Sequence, residues 1–380
     1  MQEHYQDIYQ AETADKRVFF NASVKDMKNE RFYYTVMRDE EKKAYKMIYY
    51  GLKMRAFNIV VSLFLSLEQV QKIYIKVLYD NPLFFYINQT VVKITGEPGY
   101  WILMPEYLYG NREITAITND IHGIVNKVAV KANLLRSNTF RLEKYLHDSV
   151  VKSVAYDYDA LKSSDCFNAH SIVGAFLDNK AVCEGISKAF KLLCNEFEIK
   201  CIVVLGKANK DGDFSGDDYH AWNLVKIGEE SYHVDVTWDN LYDTEIKHIS
   251  YDYFNVTTDE ILLDHQPMDN DLPLCNSTRL NYFYSTKSFV RTYSEIVELI
   301  HTRFNAKEIT FRVSKESKEF QKIDELKRKT VSALMHVMFI KGKTKPFALM
   351  LNEIHNIAKI VFMPEENKKI DLVKHNTHKA

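Results

Sequence analysis

Three short segments of this chain ask a helix start and a tight hairpin to meet: AVCEGISKAF (181–190), DYHAWNLVKI (218–227) and YHVDVTWD (232–239). After Cys183 the apolar residues Ile186, Ala189, Phe190, Leu193 and Phe197 recur at helical spacing, so an amphipathic helix is predicted with Cys183 in its first turn. Leu224 to Ile227 and Tyr232 to Val236 read as strands around a turn at Gly228. If Gly228 and Glu229 are the two turn residues, Asp235 pairs with Trp222 and His220 with Thr237. His220 and Asp235 are then diagonal neighbours on one face, roughly 7–8 Å apart along the backbone. A four-residue turn would keep the face but separate them, so the short turn is the requirement. Alternation is read as putting His233 on the opposite face, which sets it aside.

A thiol, an imidazole and a carboxylate in this order are the parts of a cysteine nucleophile site. The thiolate attacks an acyl carbon, the histidine moves protons, and the acid holds the ring and its tautomer. Unpaired N–H groups at a helix start favour a thiolate and can serve an oxyanion hole. Gly185 costs helix propensity there, and close backbone approach is a reason for it. Taken singly, these residues have plainer readings. A lone cysteine is usually a small buried hydrophobe, the reading given to Cys194, Cys201 and Cys275. His170 precedes the nucleophile and is assigned to helix packing, with approach to the site as its alternative. Trp222 and Trp238 read as core or cleft-wall aromatics, and Asp239 as a neighbouring hydrogen-bonding group.

The three blocks also resemble the transglutaminase-like superfamily, whose core is a papain-like cysteine fold. Bacterial members read (V/G)C-E-G-(Y/I)-(A/S), then H-A-W-N, then V-D-(V/P)-T-(W/F)-D, and the likeness covers roughly residues 140 to 265. The resemblance implies an α+β fold in which a helix bearing the cysteine packs on an antiparallel sheet bearing His and Asp. It implies Cys183 as nucleophile, His220 as general base and acid, and Asp235 as orienting acid.

Other chemistry finds little support. The five cysteines form no C-x-x-C pair, and neither H-x-x-x-H nor H-E-x-x-H occurs. Zinc on Cys183, His220 and Asp235 is chemically feasible but would leave the helix-terminal placement unexplained. No phosphate-binding glycine loop is present. No cofactor and no metal are expected. Fifty basic against fifty-one acidic residues give a net charge of −1, which offers no reason to expect nucleic acid or an anionic membrane as partner. The first twenty residues hold no central apolar stretch, and the run 57–67 is too short to span a bilayer and reads as a buried strand or helix. With an odd, irregular set of cysteines, the cytoplasm is the expected compartment. Delivery of a leaderless protein by a dedicated secretion system stays open.

With 380 residues the chain has length for two or three domains. Residues 1–135 read as an N-terminal accessory α+β region, 136–287 as the catalytic core and 288–380 as a small C-terminal α/β region. Helices are predicted over 39–54, over 66–82 with a capping box from Ser66 to Gln69, over 111–153, over 168–177, and over 288–304 and 317–338. Strands are predicted over 84–94, 100–109, 201–206, 309–313, 346–352 and 357–364. The stretch 207–218 carries four aspartates (Asp211, Asp213, Asp217, Asp218) against Lys207 and Lys210, and reads as a lid or a solvated connection. The last residues, 367–380, are polar and read as frayed.

Cleavage of an amide through a thioester on Cys183 is the expected activity, most simply hydrolytic, on a peptide, a protein or a small amide. An amine-accepting transglutaminase or small-molecule acyltransferase uses the same three residues. A peptide-binding scaffold that has kept the fold is the alternative from another class.

Overall fold

The computed structural model describes residues 31–363, apart from 63, 164, 217–218 and 242–247. The first twenty residues, the polar C-terminal stretch, Asp217 and Asp218 therefore lie outside the described residues. The chain divides into two compact units. One takes the described residues up to Gly206 with Tyr219–Ser250 and Pro267–Leu274; the other takes Lys207–Asp218, Tyr251–Gln266 and the chain from Cys275 on.

The first unit opens with helices α1 (Phe32–Val36) and α2 (Asp39–Lys53), strand β1 (Ile59–Ser62) and helix α3 (Leu67–Asp80). The capping box that starts α3 is present: Ser66 Oγ accepts from Gln69 N at 3.2 Å, and Gln69 Oε1 accepts from Ser66 N at 2.8 Å. Only part of the apolar run 57–67 is buried, because Phe57 and Phe64 stand exposed on either side of β1. Strands β2 (Ile87–Glu97) and β3 (Tyr100–Tyr107) form an antiparallel hairpin, with β1 on the far edge of β3. The predicted helix over 111–153 is two helices, α4 (Asn111–Ala132) and α5 (Thr139–Ser153). Asn138 breaks it, since its side chain accepts from Arg141 N at 3.0 Å and so caps a new helix.

Two two-residue strands, β4 (Ala155–Tyr156) and β5 (Lys180–Ala181), then pair in parallel and lead into helix α6 (Cys183–Glu196). No α-helix fills 168–177. A 3-10 turn (Phe167–His170) and a π-helical turn (Gly174–Asp178) stand there instead. Gly174 explains the irregularity, because a Cβ at that position would come within 2.6 Å of Asn168 O and 2.8 Å of Lys180 O. The segment folds back on itself more tightly than a regular helix allows.

Helix α6 buries Ile186, Ala189, Phe190 and Leu193 as its periodicity predicts. Each of the larger three stabilises the unit by roughly 1.5–3 kcal/mol. It packs on the antiparallel strands β7 (Tyr219–Ile227) and β8 (Glu230–Val234), with β6 (Lys200–Ala208) on the other side of β7. Ser187 Oγ donates to Ala221 O at 3.0 Å, and Asn223 Nδ2 donates to Ser187 O at 3.0 Å. The short strands β9 (Asn240–Leu241) and β10 (His248–Ile249) complete this unit. The expected α+β arrangement, a cysteine-bearing helix on an antiparallel sheet, is present.

The second unit contains β11 (Phe254–Val256), α7 (Thr258–Ile261), β12 (His265–Pro267), α8 (Tyr282–Ser285), β13 (Phe289–Val290), α9 (Tyr293–Arg303), β14 (Glu308–Val313), α10 (Ile323–Lys341), β15 (Phe347–Asn352) and β16 (Ile357–Phe362). Its four-stranded sheet runs β13-β14-β16-β15, and Ile296, Phe311, Leu334, Val337 and Ile360 fill its core. The helix predicted from 288 begins at Tyr293, after a strand, because Thr292 caps it. The stretch before His220 is held largely by its own bonds, such as Lys207 Nζ to Gly216 O at 2.7 Å. Among the described residues, no helix is long and apolar enough to cross a membrane.

Candidate active site

Cys183 is the first residue of α6, and Val182 before it is extended and offers no side-chain cap. The positive end of the helix dipole is therefore left to whatever charge forms on the sulfur. Close support from below fixes this helix start. Val182 N donates to Ala169 O at 3.1 Å, and a Cβ on Gly185 would fall 2.3 Å from that same Ala169 O. Gly185 is thus required by the approach of the 167–171 backbone, as its sequence position suggested. Cys183 is partly exposed, whereas Cys194, Cys201 and Cys275 are buried.

The hairpin has the register the short turn requires. Ile227 pairs with Glu230 and Asn223 with Val234, so the turn is Gly228-Glu229. Gly228 has φ 63°, a left-handed backbone that suits glycine. Extended by one step, the same register sets Trp222 against Asp235. His220 Nε2 lies 2.7 Å from Asp235 Oδ2, with the carboxylate fully buried. The other carboxylate oxygen, Oδ1, accepts from Thr237 N at 2.9 Å and Trp238 N at 3.1 Å. Because Asp235 takes the proton on Nε2, Nδ1 is the ring nitrogen left to face Cys183, which is near enough to act on the ring. Burial alone would lower the imidazole's pKa, but the Asp235 charge and bond outweigh it, with Cys183 adding to the rise, and lift it to about 10.

Aromatic walls hold the imidazole. Trp222 stacks on it at 6.2 Å and Trp238 lies at 5.6 Å. His233 is not on the opposite face. It is two residues from Asp235 and so shares its side of the strand, and its Nδ1 accepts the Trp222 indole N–H at 3.1 Å. Its role is to hold the tryptophan that covers His220.

Two groups around Cys183 were not singled out in the sequence. Tyr156 stands beside Cys183; burial, then the charges of Cys183, Tyr158 and Asp235, push its phenol well above the ordinary value. Behind the helix start, Lys188 is almost fully buried and gives its ammonium to Glu184 Oε1 (2.6 Å), Gln89 Oε1 (2.8 Å) and His170 O (3.2 Å). Glu184 also meets His170 Nδ1 at 3.1 Å. Burial pushes the Glu184 carboxyl up, but Lys188 and His170 outweigh it and hold it below its usual range. The residue next to Cys183 is thus a neutralised anchor.

Asp239 serves elsewhere. It faces His147 Nε2 of α5 at 3.3 Å, with Asp148 Oδ1 at 3.2 Å from Nδ1 of the same ring. Burial opposes the charge on His147, yet the two carboxylates raise its pKa from 6.5 to about 9. The stabilisation is complete below the unfolded value and disappears as pH rises through about 9. The urea midpoint is expected to fall between pH 7 and 10 by the equivalent of on the order of 3 kcal/mol. His147→Gln should make the fall smaller, the remainder coming from His220, whose raised pKa is lost over the same range; an unchanged slope in the variant would refute the assignment.

Residues 128–238 match the model of the transglutaminase-like superfamily, whose members are typically cysteine enzymes. Among solved structures, the chain is similar to a transglutaminase ("TGase") at 16% identity and TM-score 0.29, covering 50% of this chain and 52% of that one. It therefore spans about half the length of that protein. A protein of Cytophaga hutchinsonii described as a candidate cysteine protease aligns at 11% identity and TM-score 0.22, over 50% of this chain and 79% of that one. Menin aligns at 13% identity and TM-score 0.20, over 58% and 43%. These likenesses are weak, and the assignment rests on the family match. Among curated proteins, none matches the chain in sequence.

Proposed function

We propose that the transglutaminase-like domain this chain carries at residues 128–238 works as a cysteine-dependent acyl-transfer enzyme on amide bonds, with water as the usual acceptor. The observation that carries the reading is His220 held by Asp235 at 2.7 Å through Nε2, beside Cys183 at a helix start. His220, whose raised pKa keeps both ring nitrogens protonated, already holds the thiol proton as the Cys183 sulfur attacks the carbonyl carbon. The tetrahedral intermediate collapses to a thioester as the amine leaves with that proton. Water, deprotonated by His220, then attacks the thioester and releases the acid. Aminolysis would need water kept from the thioester, and the partial exposure of Cys183 speaks for hydrolysis. Peptides, proteins or small amides are the proposed substrates.

The test supplies a peptide library together with a labelled primary amine at millimolar concentration. Free acid is expected to dominate over labelled amide, an acyl adduct should appear on Cys183 by mass spectrometry, and Cys183→Ala should abolish both. A pool dominated by the amide would make the protein an acyltransferase. Absence of any product or adduct would favour the binding scaffold.

A further inference from the structure

Strand β4 is two residues long, yet its position is tightly set. Ala155 N donates to Asn179 O at 2.9 Å and Asp157 N to Ala181 O at 3.0 Å, so both neighbours of Tyr156 are tied to the strand that runs into Cys183. Tyr156 itself pairs with Ala181, two residues before the nucleophile. Its ring packs against Tyr158 with centroids 4.8 Å apart. Cys183 lies two residues past Ala181, so alternation puts it on the side of the backbone that Tyr156 meets, and the phenol is near enough to Cys183 and Asp235 for both to act on it. The phenol is therefore a fixed, protonated donor beside Cys183.

We propose that Tyr156 is a catalytic residue that donates its hydroxyl hydrogen bond to the oxyanion formed when Cys183 attacks an acyl carbon. The proposal rests on the acyl-transfer reading above. As the C–S bond forms, the carbonyl π pair moves to oxygen and the thiol proton resides on His220. The new oxyanion is bonded to the carbon that the sulfur holds, so a donor beside Cys183 needs only a small swing to reach it. Helix-start N–H groups of α6 would supply the complementary donors. When the pair returns to carbon, the bond to the leaving group breaks and that group takes the proton from His220. Tyr156 keeps its own proton throughout, as the burial and nearby charges that raise its pKa ensure.

Two reagents separate this role from others. Acylation of Cys183 by p-nitrophenyl acetate passes through an oxyanion; alkylation by iodoacetamide does not. Tyr156→Phe keeps the ring against Tyr158 and should slow acylation by roughly 100-fold, while iodoacetamide labelling of Cys183 changes less than about twofold. Tyr158→Phe should leave both rates unchanged, and melting curves of both variants should overlay the parent. Equal slowing by the two reagents would mean that Tyr156 acts on the thiolate or on packing, and would overturn the proposal, as would no slowing of either. If the parent protein is alkylated but never acylated at Cys183, the acyl-transfer reading itself fails, a result distinct from any behaviour of the variant.

Discussion

Asp235→Asn is expected to leave the fold intact and lower kcat/KM by about 10³- to 10⁴-fold. The fold survives because an asparagine carbonyl can still accept from Thr237 N and Trp238 N, the two bonds that shape the turn after β8. What changes is the side facing His220. Asp235 Oδ2 accepts from Nε2, which leaves Nδ1 as the base toward Cys183. An amide nitrogen in its place donates, so Nε2 must accept and the ring proton moves to Nδ1. The base is then blocked. The imidazole also loses the chief cause of its raised pKa, so its NMR titration should move down from about 10. A loss of activity below about tenfold would show that the carboxylate does not set the tautomer.

Gly185→Ala should destabilise the protein by about 3 kcal/mol or more. The added Cβ would sit 2.3 Å from Ala169 O and 2.9 Å from Ser171 O. Both are backbone atoms, so no side-chain rotation relieves the clash. Either the 167–171 segment or the start of α6 must move, and a displaced α6 carries Cys183 away from His220. Activity measured on the folded fraction should therefore fall further than stability alone accounts for. Gly123→Ala, in the exposed middle of α4 with nothing within 4 Å of the new Cβ, is the control. It should be neutral or stabilise by about 0.5–1 kcal/mol. Equal denaturation midpoints for the two variants would contradict the close approach seen at Gly185.

These two residues mark where local pattern was enough. Alternation along 220–227 and 232–236, with a glycine that accepts a left-handed backbone between them, determines which side chains face each other. His220 and Asp235 were legible from that alone. The helix after Cys183 and the cap at Ser66 follow from periodicity and from a side chain within three residues. Failures came where the deciding partner is remote or is backbone. The irregular segment 167–178 is shaped by carbonyls of Asn168 and Lys180 around Gly174, and no periodicity encodes that. Tyr156 was missed because a two-residue parallel strand leaves no repeating pattern, and its partner, Ala181, is far along the chain. Lys188 read as one more polar position on an amphipathic helix; its burial depends on Gln89 and on the ring of Tyr79, whose centroid lies 5.0 Å from the ammonium. His233, two residues before Asp235, shares its face by that same alternation.

That lysine bears on where the folded domain begins. Gln89 and Tyr79 lie well upstream of the segment that matches the superfamily model, yet they enclose a charge five residues along the helix from Cys183. Cutting the chain at residue 128 would strip an ammonium group of an acceptor and of its aromatic cover without returning it fully to water. The boundary of recognisable ancestry and the boundary of self-sufficiency do not coincide here. A lineage that exchanged its N-terminal segment would have to replace Lys188 in the same step, so the two are expected to be inherited as one piece.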